Sequence, residues 1–69
     1  MARDICKVFA INMFYKRKDL GLTQEDIAQA VGLSVSAISA YENSKICPDL
    51  RTAEKIALAL GFRLPDMLK

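Results

Sequence analysis

Sixty-nine residues with 52% apolar and 26% charged composition fit one small domain over residues 1–69 and set aside low-complexity, linker and repeat architectures. A chain this short buries only about 60% of the surface its unfolded form exposes, so its stability is expected to be marginal or aided by a partner. The net charge of +2 is modest but unevenly spread: residues 1–21 carry a balance of +3, residues 22–44 a balance of −3 with no Lys or Arg, and residues 45–69 a balance of +2.

Five helices and no strand account for the pattern. The first is expected from about Arg3 to Lys18, with Ile5, Phe9 and Met13 on one face. Its apolar run, 5–15, is broken by Lys7 and Asn12 and falls well short of the roughly 18 residues of a membrane span. No cleavage-site pattern follows it, so neither a membrane anchor nor a secretory signal is expected. Thr23 and Ser34 then give the same helix-start signal twice. Each is a short-chain N-cap preceded by leucine (Leu22, Leu33) and followed four residues on by isoleucine (Ile27, Ile38). Asp26 at the third helical position completes an approximate capping box. These signals predict helices over about Gln24 to Val31 and Val35 to Asn43, meeting at a three-residue corner, Gly32-Leu33-Ser34. That is the spacing of a helix-turn-helix over about 24–43. A loop to Pro48 follows, then a helix from Leu50 to Leu60 capped by Asp49 and stopped by Gly61. A short last turn, about Pro65 to Leu68, is expected to fold Met67 or Leu68 back as a lid. Cys6 and Cys47 stand far apart and match no ligand spacing; in an intracellular chain they are expected to be reduced and packed.

With Ile38 and Tyr41 turned inward, helical spacing leaves Val35, Ser36, Ser39, Ala40 and Asn43 on the outer face of the third helix. Serine hydroxyls there can bond to several bases, and the methyls of Val35 and Ala40 can touch a thymine methyl. Gln24, at the first turn of the second helix, could grip a phosphate with its amide and the free helix N–H groups. Asn43, Ser44 and Lys45 leave the third helix on the other side, where they could meet the backbone. Plain alternatives stand beside each reading: a small solvent-facing helix surface, a solvated glutamine, and a lysine complementing a helix dipole. Lys16, Arg17 and Lys18 form a basic run in which Arg17 could turn inward.

The set Gly21-Leu22-Thr23-Gln24-Glu25-Asp26-Ile27-Ala28, Val31-Gly32-Leu33-Ser34, Ile38-Ser39, Tyr41-Glu42-Asn43, Pro48 and Ile56-Ala57-Leu58-Ala59-Leu60-Gly61 resembles the lambda-repressor-like helix-turn-helix family, the Cro-repressor or xenobiotic-response-element type. The resembling stretch runs from about Met13 to Leu68. The resemblance implies an all-α, compact five-helix bundle that places its third helix in the major groove. It also implies repression or activation of transcription, often by a two-fold dimer on a palindromic operator, in a bacterium or phage. By position, Gln24 matches a phosphate-contacting glutamine, Val35, Ser36, Ser39 and Ala40 match base-facing positions, and Asn43 and Lys45 match backbone contacts. Arg17 and Glu42 match an ion pair between the first and third helices that orients the reading helix. The chain departs from the family pattern at Val35, Ala37 and Ala40, where arginine, lysine or glutamine is common, at Ser44, where glycine is usual, and at Leu58, where a polar residue is usual.

The expected function is therefore that of a DNA-binding transcriptional regulator, a repressor or controller acting in the cytoplasm on the nucleoid. The alternative is a helical protein-interaction or assembly module on the same fold. With no histidine, no paired carboxylates, no phosphate-cradling loop and no base beside either cysteine, the chain offers no catalytic residues and requires no metal or cofactor. Val8, Ile11, Tyr15 and Leu58 lie off the expected core face and are candidates for a homodimer interface.

Overall fold

A computed structural model describes residues 4–69. They form α1 (Ile5–Asp19), α2 (Gln24–Val31), α3 (Val35–Glu42), α4 (Leu50–Ala59) and α5 (Leu64–Met67), with no strand among the described residues. Four helix starts are fixed by the residue before them. Asp4, Thr23, Ser34 and Asp49 accept backbone N–H bonds from Lys7, Asp26, Ala37 and Thr52 at 3.1, 3.0, 3.1 and 2.7 Å. Each bond satisfies a donor that the helix itself cannot pair. At α2 the exchange is reciprocal, because the Thr23 N–H donates to the Asp26 carboxylate at 2.9 Å.

These caps carry a pH signature. The bond from the Thr23 N–H holds the Asp26 carboxyl below its ordinary value of 3.8, and the bond from the Thr52 N–H does the same for Asp49. A carboxyl depressed by folding stabilises the protein at pH above 3.8, and that contribution disappears as the pH falls through the lower folded value. Asp49→Asn keeps an accepting oxygen but cannot titrate. The melting-temperature difference between the native chain and this variant is therefore expected to shrink from about pH 6 to about pH 3. A difference unchanged with pH would refute the assignment.

One core joins all five helices. Phe9 and Met13 of α1, Ile27 and Ala28 of α2, Ile38 of α3, Ala53, Ile56 and Ala57 of α4, Leu60 after it, and Met67 of α5 pack in a single cluster. Met67 is fully buried, so the last turn does close the bundle. Asn12 fastens that turn to α1 by donating to the Met67 carbonyl at 2.8 Å. Lys16 adds a cation–π contact, its Nζ lying 3.8 Å from the centre of the Phe62 ring.

The structure revises several expectations. α1 begins at Ile5 and ends at Asp19, and Arg3 lies outside the described residues. Its inward stripe is Phe9, Ala10, Met13 and Arg17, whereas Ile5, at the first turn, stays 46% exposed at the edge of the bundle. α3 and α4 each end one residue early, with Asn43 and Leu60 as their C-caps. α5 starts at Leu64 and holds Pro65 in its first turn, where a missing N–H costs nothing. The cysteines are not separate thiols. Cys6 and Cys47, 41 residues apart, are joined in a disulfide with their Cα atoms 5.4 Å apart. The fold lays the loop after α3 against the start of α1, a proximity that spacing in sequence does not encode.

Candidate nucleic-acid interface

α2 and α3 meet at the corner expected from the sequence. Gly32 ends α2 at φ 74°, a left-handed conformation that glycine adopts without steric cost, and the Leu33 N–H closes the turn on the Ala28 carbonyl at 2.9 Å. The turn delivers Ser34 to the start of α3, which is then held from its inner side. Ile38 is the one α3 residue that is fully buried.

The second restraint on α3 is ionic. Arg17 of α1 is 5% exposed and forms a bidentate pair with Glu42, through Nε to Oε2 at 2.6 Å and Nη2 to Oε1 at 3.0 Å. Its Nη1 donates to the Leu22 carbonyl at 2.8 Å. Gln24 of α2 joins the same carboxylate, Nε2 donating to Glu42 Oε1 at 2.9 Å. One buried cluster thus ties α1, the α1–α2 corner, α2 and α3. Fork-on-fork geometry suits such a role, because a bidentate guanidinium fixes orientation as well as distance. The pairing of Arg17 with Glu42 was readable from the resemblance. The participation of Gln24 was not, because no local pattern links it to a residue 18 positions away.

On the outer side, Val35 and Ser36 are exposed and Ser39 and Ala40 half-buried. Together with Gln24 and Lys45 these four line one shallow hollow. The structure therefore brings six of the seven candidate contact residues together. The seventh, Asn43, is exposed, and its amide folds back on α3, donating to the Ser39 carbonyl at 2.9 Å and to Ser39 Oγ at 3.2 Å. With that oxygen accepting from Asn43, the Ser39 hydroxyl hydrogen remains free to be donated outward. A neighbouring hollow, lined by Lys18, Thr23, Gln24 and Glu25 among others, places a cation beside the start of α2. Lys18 is not among the contact residues expected from the sequence.

Lys45 owes its position to an unusual residue. Ser44 adopts φ 58°, the conformation glycine favours, and this lets the Lys45 N–H reach the Ala40 carbonyl at 2.9 Å. The turn keeps its glycine-type shape despite the serine, which must bear the Cβ strain. Ser44→Gly is expected to raise stability by about 0.5–1 kcal/mol, the relief of strain exceeding the added freedom of the unfolded chain. A urea midpoint that stays put or falls would contradict this.

Among the described residues, no group of three or more His, Cys, Asp or Glu side chains could hold a metal ion, and no helix is long and apolar enough to cross a membrane.

Comparison with known proteins agrees with the geometry. A family profile described as helix-turn-helix matches residues 13–67. An uncharacterised HTH-type transcriptional regulator of Methanothermobacter thermautotrophicus is 49% identical over 45 residues, which cover 65% of each chain. A second, from Methanocaldococcus jannaschii, is 42% identical over 77% of this chain and 80% of its own. A third, from Archaeoglobus fulgidus, is 39% identical over 74% and 73%. The crystal structure of a hypothetical transcription factor, NHTF from Neisseria, superposes with a TM-score of 0.89 at 35% identity, covering 96% of this chain and 76% of that one. With the match spanning all five helices and the corner between α2 and α3, the chain belongs to the lambda-repressor-like helix-turn-helix family of DNA-binding transcriptional regulators.

Proposed function

We propose that the protein is a sequence-specific regulator, acting as a repressor by seating α3 in the major groove of a short palindromic operator. The observation that carries this reading is the single hollow lined by Gln24, Val35, Ser36, Ser39, Ala40 and Lys45, on a helix held from behind by Ile38 and the Arg17–Glu42 pair. In this reading Ser36 and Ser39 bond to base edges and Val35 and Ala40 contact thymine methyls. Gln24 and Lys45 bind phosphates and set the register, and Asn43 joins them by exchanging its bonds to Ser39 for one to a phosphate. No arginine reaches toward guanine, so backbone contacts supply most of the affinity and operator shape part of the specificity. No catalytic residue and no cofactor enters the proposal. The setting is the cytoplasm, at the nucleoid.

A two-fold site requires two copies. Ile11, Tyr15 and Leu58 are 51%, 62% and 63% exposed, as the dimer reading expects, whereas Val8 is half-buried. The same apolar surface is what favours the assembly-module alternative. Sedimentation at micromolar concentration tests the dimer, and a monomer at every concentration removes it.

Binding to a duplex from the chain's own upstream region, followed by fluorescence anisotropy, tests the DNA reading. Affinity is expected to fall linearly with salt on logarithmic axes, and Lys45→Ala to reduce that slope by about 1. Salt-independent binding, or an unaltered slope in the variant, would reject the mechanism. Ser36→Ala and Gln24→Ala without effect on affinity would favour the assembly module.

A further inference from the structure

We propose that Cys6 and Cys47 form a thiol–disulfide exchange site, with a dithiol as its substrate class, and that its redox state sets DNA affinity. The inference rests on the DNA interface proposed above. Cys47 lies two residues beyond Lys45, in the loop that leaves α3, and Cys6 lies in the first turn of α1. The hydrogen bonds made by the backbone N–H groups of Ser44, Lys45 and Ile46 all return to α3, to the carbonyls of Tyr41 and Ala40. The tie from this loop to α1 is the covalent bond itself. The bridge closes a segment that contains nearly all of α1 and the whole of α2 and α3, the entire reading unit.

The bond is placed for exchange. Cys47 is exposed and Cys6 half-buried, and the two border an apolar cavity of about 160 Å³ with Phe9, Pro48 and Leu50. A reagent can reach the loop side, and the loop has room to shift once released. A thiolate of the dithiol attacks Cys47 Sγ, the S–S bond breaks, and Cys6 leaves as a thiolate that takes up a proton. The second thiol of the reagent then attacks the mixed disulfide and releases Cys47. The dithiol becomes a cyclic disulfide, giving up the two electrons that the protein gains. DNA resides where thiols are kept reduced, and outside hyperthermophiles a disulfide formed in such a compartment is usually transient and redox-sensing or catalytic. Oxidised, the bridge fastens the loop that carries Lys45 to α1. Reduced, the turn keeps its bonds to α3, but the loop is no longer fixed to α1, and Lys45 loses its restraint against the rest of the bundle.

The test compares oxidised protein, protein treated with dithiothreitol, and the Cys6→Ser/Cys47→Ser variant, with mass spectrometry reporting the redox state. Reduction is expected to weaken duplex binding about tenfold while helical circular dichroism is retained. The double variant should bind like the reduced chain and ignore dithiothreitol. Equal affinity in both redox states overturns the proposal. Loss of helix on reduction also overturns it, since the bond would then be a structural staple. If the oxidised chain binds no duplex, the DNA reading fails on its own. Amide exchange at residues 43–47 then still decides: faster exchange on reduction supports release of the loop, and unchanged exchange refutes it.

Discussion

Arg17→Met, with Glu42 left in place, is expected to cost about 3–5 kcal/mol of unfolding free energy, because it strands a carboxylate inside the protein. The Glu42 side chain is only 3% exposed, and two of its three polar contacts come from Arg17. The amide of Gln24 is the one partner left, and a neutral donor does not offset a buried charge. Replacing both members, as Arg17→Met/Glu42→Met, removes the charge together with its partner and is expected to recover most of the loss. Urea denaturation of the native chain and both variants measures this. A single variant as stable as the native chain would show the pair to be energetically idle. The double variant also separates stability from orientation: Gln24 loses its anchor, so DNA affinity is expected to remain below the native level even where folding recovers.

Ile38→Ala is expected to cost about 2–5 kcal/mol, the range for truncating a buried branched side chain and leaving a cavity. The residue is 0% exposed and is the sole fully buried contribution of α3 to the core. A chain of this length commonly has about 3–10 kcal/mol in total, so the loss is a large share of its stability. Circular dichroism during urea titration gives the answer. A loss below about 1 kcal/mol would mean that α3 is held by the ionic cluster and not by packing.

The features legible in the sequence are those whose cause is local. Thr23, Ser34 and Asp49 each act on an N–H three residues away, so the caps, and with them the starts of α2, α3 and α4, could be read directly. Helical spacing likewise placed Ile38 inward and Val35 and Ser36 outward. What escaped depends on how the chain returns upon itself. Gln24 meets Glu42, Asn12 meets the Met67 carbonyl, and Cys6 meets Cys47 across 18, 55 and 41 positions, and nothing in the residues themselves announces such meetings. Ser44 is a third case. Its departure from the usual glycine was plain, but the left-handed backbone it keeps is set by the carbonyls that its turn must satisfy.

The fastening of α3 from behind has an evolutionary corollary. Val35 and Ser36 make none of the side-chain bonds that hold the helix, and Ala40 contributes only backbone. A lineage can therefore rewrite these letters with little toll on folding, and acquire new target sites while the mounting beneath them is inherited unchanged.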